Sequence, residues 1–407
     1  MAGLTVAITK VAEYSERSIR RGIADLFHHL GYPEENPLGR IVHPGDSVFI
    51  KPNWVTHEYR KSCNRKESVY STITHESVVR VVADYVAEAL QGSGEIRIGD
   101  NPSIDADFER LMELTGIRAL ESRYDVPCEI MDLRPLVCLD LKDYGKFDRM
   151  VKKRGDPRGT IRVNLGRRSL FTGINPRAFR GVFTNRTETI RAHTGVKHEY
   201  SFANSIVDAD VYISLPKLKT HHKCGVTLNL KGLVGTVTDK NLLVHWRLGW
   251  PGIGGDEQPS FIHWLRGLTA KTKKRGAWPG NDSIWRMVVD LYTAFCSTGK
   301  RRTFSVIDGI LAGEGDGPFC PSAKEAQVLL AGENLLAVDC VATRLMGFKI
   351  SQVQYLHHLV KSRRISLDHI TVIANHLDGE GFFEDSEPHL SFQPPSMWPN
   401  LSVKSRP

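Results

Sequence analysis

Apolar and polar positions in the first 131 residues alternate between two periods. Residues 4–11 have the short alternation of a strand, and residues 18–30 carry Ile19, Ile23, Leu26, Phe27 and Leu30 at helical spacing ahead of Gly31. Residues 47–50 predict a second strand, running straight into Lys51, Pro52 and Asn53. Thr74 is placed to cap a helix over 75–90 whose Val78, Val79, Val82, Val86 and Leu90 share one face. Residues 95–98 read as a strand ending at Gly99 and Asp100, residues 107–114 as a helix closed by Gly116, and 126–131 as a further apolar run. Strands alternating with helices predict an α/β fold with a mixed, mainly parallel sheet and crossover helices.

The pattern breaks over 132–205, which is rich in Arg, Lys, Gly and Asp and has only short apolar runs at 161–165 and 182–184. It resumes at 211–215, a strand stopped by Pro216. Lys217, Lys219, His221, His222, Lys223 and Cys224 follow at once. Gly225 then leads into the apolar run 226–234, with Asn229 and Lys231, read as a helix whose N-terminal amides favour an anion. The expected local shape is strand, cationic elbow, helix. Residues 241–282 hold further Gly and Pro, the acidic pair Asp256 and Glu257, and a basic run at 271–275. After them come a helix over 283–295, a strand over 303–307 ending at Asp308, a strand over 327–330, a helix over 336–346 closed by Gly347, and a late strand over 370–374. The expected organisation is an N-terminal α/β part (1–131), an insertion or cap (132–205), and a C-terminal α/β part (206–375), followed by a tail (376–407). The C-terminal part contains the elbow (216–235) and a second insertion (241–282). These parts would pack as one large domain or two intimate lobes. No internal repeat of fixed period occurs.

Composition narrows the classes. With 407 residues, 41% hydrophobic and 25% charged, the chain can bury one large core or two medium ones. No segment near the start has the apolar core of a signal peptide, and no run approaches membrane-spanning length, so a cytoplasmic location is expected. A net charge of +8 implies an anionic partner: a phosphorylated metabolite, a nucleotide, nucleic acid or a membrane surface. A generic basic surface fits equally well, and the basic stretches at 152–154 and 167–168 carry no nucleic-acid reading motif, so no specific nucleic acid is expected. Seven scattered cysteines without a CxxC pair argue against a zinc ribbon, a ferredoxin segment or a disulfide framework, and for mostly reduced thiols.

Four predicted strands finish on conspicuous polar groups: Lys51 with Asn53, Asp100, Lys217 with Lys219 and His221, and Asp308. In open α/β sheets ligands bind beyond the carboxyl ends of the strands, so if these strands are parallel neighbours the groups meet in one cleft. Lys51, Asn53, Lys217, Lys219 and Lys231 are then candidate substrate-binding residues, and His221, Asp100 and Asp308 candidate catalytic ones. A divalent metal is an open cofactor reading, with His221, Glu314 and Asp316 as ligands; Cys224, His245, Asp256 and Glu257 also have ligand types. Adjacent histidines in an extended chain point to opposite faces, so one of His221 and His222 would reach a given site. Asp339, in an apolar helix, is either a perturbed carboxylate or a satisfied structural group. Phe261, Trp264, Leu265 and Leu268 recur at helical spacing ahead of Lys271, Lys273, Lys274, Arg275 and Trp278. Residues 261–278 would therefore lie on a membrane or lipid-linked substrate, or pack into the protein.

The stretches VFIKPNWV, IRIGDNPS, SLPKLKTHHKCGVTLNLKGLVGTV, IDGILAGEGDGPFCPS and LLAVDCVATRLMGF, spread over residues 46–348, resemble in order the hallmarks of the domain-of-unknown-function family 362 (DUF362). Many relatives look like fusions to a ferredoxin-type iron-sulfur segment, which implies redox chemistry somewhere in the family. This chain lacks the cysteine cluster, so an iron-sulfur cluster is not expected from it alone. The elbow is also similar, over a short stretch, to the histidine-glycine-lysine region of lactate-racemase-like proteins. Together these features predict an enzyme acting on an anionic, phosphorylated or carboxylated small molecule, with metal assistance open. Two alternatives stand beside it: a redox or electron-transfer protein with a metal or iron-sulfur centre, and a basic binding module docking an acidic partner or membrane surface. Reaction class and oligomeric state are not predicted.

Overall fold

Ten strands form one mixed sheet through the computed structural model, which describes residues 4–59, 68–138, 150–181, 185–269, 275–362, 365–374, 382–383 and 389–403. In chain order the strands are β1 (Thr5–Lys10), β2 (Ser47–Pro52), β3 (Glu95–Asp100), β4 (Cys128–Asp132), β5 (Val211–Leu215), β6 (Lys217–His221), β7 (Gly225–Val226), β8 (Arg302–Glu314), β9 (Ser322–Gly332) and β10 (Thr371–Ala374). Across the sheet the order is β10, β1, β9, β8, β5, β2, β3, β4, with β6 paired to the C-terminal half of β8 and β7 to β6. Pairing is parallel from β8 through β5, β2 and β3 to β4; β9 is antiparallel to both its neighbours. The fold is the mainly parallel α/β arrangement that the alternation of periods predicts, and strands from both halves of the chain share the sheet.

The two faces follow from the two-residue period of a strand. Val48 and Ile50 enter one core with Ile96, Ile98, Val211 and Ile213, under helices Glu16–His29 and Glu76–Leu90; Phe49 and Tyr212 enter the other, under helices Ile284–Ser297 and Leu335–Leu345. Each buried aliphatic side chain of this kind stabilises by about 1.5–3 kcal/mol. The first insertion contributes a ribbon of Thr160–Asn164 against Glu199–Ala203, and its strand Phe179–Arg180 pairs with Trp246–Arg247 of the second insertion. The apolar run 182–184, the basic residues 271–274 and Cys63 lie outside the described residues.

Tertiary contacts revise four local expectations. The helix Glu76–Leu90 is capped by His75, whose Nδ1 accepts from Ser77 N at 3.2 Å. Thr74, expected in that role, is taken elsewhere: its Oγ1 accepts from Asn53 N (2.9 Å) and donates to Leu215 O (2.6 Å), tying the ends of β2 and β5. The strand expected to end at Asp308 continues to Glu314, because β9 returns beside it with a register shift between Gly309 and Leu311. Residues 217–221 are an extended strand rather than an irregular elbow. Pro216 ends one ladder, having no N–H to donate, yet its fixed φ suits extended chain, and β6 re-enters pairing on β8.

The helix expected over 226–234 is shorter, Leu228–Gly232 followed by a 3-10 turn, Leu233–Thr236. Its N-terminal amides are already occupied by the chain's own carboxylate. Asp339 Oδ1 accepts from Asn229 N (2.9 Å) and Asn229 Nδ2 (2.8 Å), and Oδ2 from Leu230 N (2.9 Å). Burial pushes this carboxyl up to about 7, while the three donated bonds pull it down. Asp339→Ala leaves two buried backbone N–H groups and a side-chain amide without acceptors, and should lower the unfolding free energy by about 2–4 kcal/mol, read from urea denaturation. A loss below roughly 0.5 kcal/mol would show that the cap is dispensable.

Candidate functional site

The strand ends meet as the parallel order requires, in two ion pairs. Lys51 at the end of β2 and Asp100 at the end of β3 are paired at 2.9 Å, both almost wholly buried. Asp100 also accepts from Asn101 N through Oδ1 (2.8 Å) and from Trp54 N through Oδ2 (2.7 Å), so both its oxygens are engaged. Gly235 closes over this pair. A Cβ there would run into Asp100 Oδ1 and Lys51 Nζ, which is why the chain carries glycine at this approach. Asn101 N donates to Gly235 O at 3.0 Å and Asn101 Nδ2 to Val237 O at 2.7 Å, pinning the segment in place.

The second pair is Lys217 with Asp308, 2.6 Å apart and without exposure. Asp308 accepts from Tyr14 Oη (2.8 Å) and His75 N (2.9 Å), while Lys217 Nζ donates also to Tyr14 Oη (3.0 Å) and Leu311 O (3.1 Å). The Tyr14 and His75 rings stack with centroids 3.8 Å apart. Burial, and next the Asp308 charge, raise the Tyr14 hydroxyl well above its ordinary range, so it stays protonated. Sequence reasoning missed both rings: Tyr14 precedes a helix 294 residues away from Asp308, and no local pattern marks it.

Between the pairs lie amines that have no such counterion. The alternation of β6 puts Lys217, Lys219 and His221 on one face, while Leu218 enters a hydrophobic core. Lys219 is fully buried, and its Nζ donates to Thr72 O at 2.5 Å, a carbonyl shared with Asn53 Nδ2 at 2.7 Å. Burial, followed by the positive charges of Lys217 and Lys231, holds the Lys219 amine well below its ordinary range. Lys231, 8% exposed, has neither a hydrogen bond nor an ion pair among the described residues, and burial lowers it too. Burial brings Lys223 and Lys240 to about 7. Lys240 Nζ meets the carbonyls of Asn101 and Pro102, and Lys223 Nζ sits 4.5 Å from the centre of the Trp246 ring. Of Lys51, Lys219, Lys223, Lys231 and Lys240, only Lys51 has a carboxylate at ion-pair distance among the described residues.

Two histidines border the same amines with opposite hydrogen-bonding capacity. His221 Nδ1 accepts from Lys223 N at 3.1 Å, so the neutral ring carries its proton on Nε2. His245 Nδ1 lies 3.0 Å from Leu243 O, so its proton sits on Nδ1 and its Nε2 lone pair is bare. Neither Nε2 has a partner among the described residues. Burial first, then Lys231 and Lys223, hold both rings well below 6.5, and therefore neutral. His222, beyond the end of β6, is half-buried and donates its N–H to Gly317 O at 2.9 Å.

The metal set His221, Glu314 and Asp316 is not gathered. Glu314 Oε2 accepts from Gln393 N (3.0 Å) and pairs with Lys324 (3.3 Å), and Asp316 Oδ1 accepts from Ser396 N (2.8 Å); these carboxylates fasten the end of β8 and the connection after it to the C-terminal segment. His221 sits among cations instead, which oppose a divalent ion. No group of three or more His, Cys, Asp or Glu able to hold a metal ion occurs among the described residues. Asp256 is bound to Arg247 and Ser283, and Glu257 to Arg275. Cys128, Cys138, Cys224, Cys296 and Cys340 are not in disulfides and Cys320 is disulfide-bonded; with no metal-holding group among the described residues, these cysteines form no cluster-binding set.

Fold and site define a mainly parallel α/β protein with a cluster of buried lysines at the carboxyl ends of its central strands. The chain belongs to the family of the domain of unknown function DUF362, which matches residues 48–153 and 161–344. The matched segments include both ion pairs, Lys219, His221, Lys231 and His245; Tyr14 lies before them. The chain is 23% identical over 343 residues to a thylakoid-associated protein of Synechocystis, covering 84% of this chain and 74% of that protein. Among solved structures it is similar to a structural-genomics target from Thermotoga maritima (TM-score 0.39, 11% identity, 82% of this chain) and to the lactate racemase apoprotein of Thermoanaerobacterium thermosaccharolyticum (TM-score 0.37, 9% identity, 84% of this chain). The chain spans 59% and 57% of the lengths of those two solved chains. No helix among the described residues is long and apolar enough to cross a membrane.

The lowered amines set the sign of a pH dependence. Lys223 and Lys240 titrate near 7 when folded and near about 10.4 when unfolded, so the folded chain binds fewer protons over that window and stability rises with pH. Above about pH 8.5 the buried thiols of Cys128 and Cys224, pushed up to about 12, oppose that rise. Melting temperature should therefore climb from about pH 7 to about pH 8.5 without oxyanions. Added sulfate should flatten the slope by raising the low-pH end. A melting temperature that falls over this window would contradict the assignment.

Proposed function

We propose that this chain is a cytoplasmic enzyme acting on an anionic small molecule, phosphorylated or carboxylated, seated on Lys219 and Lys231. The observation that carries the proposal is the burial of these two amines without a carboxylate partner. An unpaired buried cation destabilises a fold, and an anionic ligand that supplies the missing charge removes that cost. Lys51 and Lys217 flank these amines, each held by an aspartate whose oxygens are all engaged. Asp100 and Asp308 thus act as positioning counterions, and Asn53 fixes the carbonyl that orients Lys219.

Proton transfer falls to the two histidines. His221 offers an N–H from Nε2 to a ligand oxygen, and His245 offers an Nε2 lone pair to a substrate proton. Their pKa values are held down by burial and, next, by the surrounding amines, so a bound anion that offsets those charges raises both values toward the ordinary imidazole range. The acid and base then become competent when substrate is present. The thylakoid association in the name of the Synechocystis relative supports work close to a membrane surface.

Lys219→Met and Lys231→Met remove the buried charges while keeping the volume. Both variants should melt at or above the wild-type temperature and lose the stabilisation that millimolar pyrophosphate gives the wild type. Variants that fold and keep the full pyrophosphate response would place the anion elsewhere. Variants that unfold would make the amines structural.

A further inference from the structure

Apolar exposure on this chain is concentrated in one place. Of eleven large hydrophobic side chains exposed among the described residues, six fall between 248 and 268: Leu248, Ile253, Phe261, Ile262, Leu265 and Leu268. Four of them sit on the helix Phe261–Thr269, which contains no acidic residue. Of the stripe expected to pack inward or meet a membrane, Phe261, Leu265 (52%) and Leu268 (51%) face outward beside Ile262 (58%), while Trp264 is half-buried. The helix is held from beneath by an aromatic clasp. Trp250 packs on Phe261 at 4.9 Å and on Trp264 at 5.3 Å between centroids, and Trp264 Nε1 donates to Glu257 at 3.2 Å.

Charge selects the occupant of this face. Between 247 and 275 the sequence has six Lys or Arg residues and two acidic ones. Both acids are buried, Asp256 against Arg247 and Glu257 against Arg275, so no carboxylate of this segment faces out. Arg266 is exposed on the helix itself, and Lys271, Lys273 and Lys274 follow it in sequence. An apolar ridge with Trp and Phe at its base, an exposed arginine on its helix and three lysines close behind it in sequence matches the headgroup boundary of an anionic bilayer, apolar groups entering and cations meeting phosphates. A soluble acidic protein would satisfy the cations and leave the ridge in water. We propose that this face docks the chain peripherally on an anionic lipid surface, independently of the lysine cluster.

The test is co-sedimentation of the full chain with phosphatidylcholine vesicles with and without phosphatidylglycerol. Wild type should sediment with the phosphatidylglycerol vesicles and be released by salt. The double variant Leu265→Glu, Leu268→Glu should lose at least about tenfold in partitioning at an unchanged melting temperature, since both side chains are exposed. Three outcomes would overturn the proposal: no sedimentation of wild type, equal sedimentation with vesicles lacking phosphatidylglycerol, or a wild-type dimer in solution that the double variant turns into a monomer. The last would make the ridge a contact between two copies.

Discussion

The structure depends on burying more amines than carboxylates at the ends of its central strands. Asp100 and Asp308 each hold one lysine, and the oxygens of both are further engaged by backbone or tyrosine donors. Among the described residues Lys219 is left with a carbonyl and Lys231 with no hydrogen bond or ion pair. In a medium this poorly solvated the chain meets the cost by lowering the amine pKa values, so that a site written in lysines is partly neutral when empty of anions. Local details serve that crowding. Gly235 allows the backbone to close over Lys51 and Asp100, and the two-residue period of β6 places Lys217, Lys219 and His221 on one face.

Contributions to the lysine cluster come from both halves of the chain, which couples folding to function. Tyr14, Lys51, His75 and Asp100 belong to the first quarter, and Lys217, Lys219, His221, Lys231, His245 and Asp308 come after residue 210. The bonds from Tyr14 and His75 to Asp308, and from Thr74 to Leu215, join these halves at the site itself. A lysine of this kind can therefore be tuned only in the complete fold. The outward-facing helix at 261–269 belongs to the second insertion and shares none of these contacts, so docking and ligand binding can vary separately.

Much of this was legible from periodicity. The sheet class, and the meeting of Lys51, Asp100, Lys217 and Asp308, followed from four apolar runs that each end on a polar residue, because parallel strands align their carboxyl ends. Strand β6 was readable too, since KLKTH alternates with a period of two, but the preceding proline and the density of charge gave it the look of a loop. Other features depend on partners that no local pattern announces. The helix start at 228 was open to an anion on paper and is filled by Asp339, more than a hundred residues on. Glu314 and Asp316 looked like hard-cation ligands, and their acceptors serve backbone donors of the C-terminal segment. Tyr14, His75 and the lone pair of His245 gain meaning only from tertiary geometry.

Proton uptake on anion binding tests the central claim most directly. Sulfate, which has no proton of its own to lose at about pH 8, titrated into the protein at that pH by calorimetry in two buffers of different ionisation enthalpy reads the number of protons the protein takes up. Amines lowered to near 7 are largely neutral at that pH and recharge when an anion binds, so the account predicts net uptake approaching one proton or more per sulfate bound. Binding with no change in protonation, or with proton release, would contradict a cluster of neutralised lysines waiting for an anion.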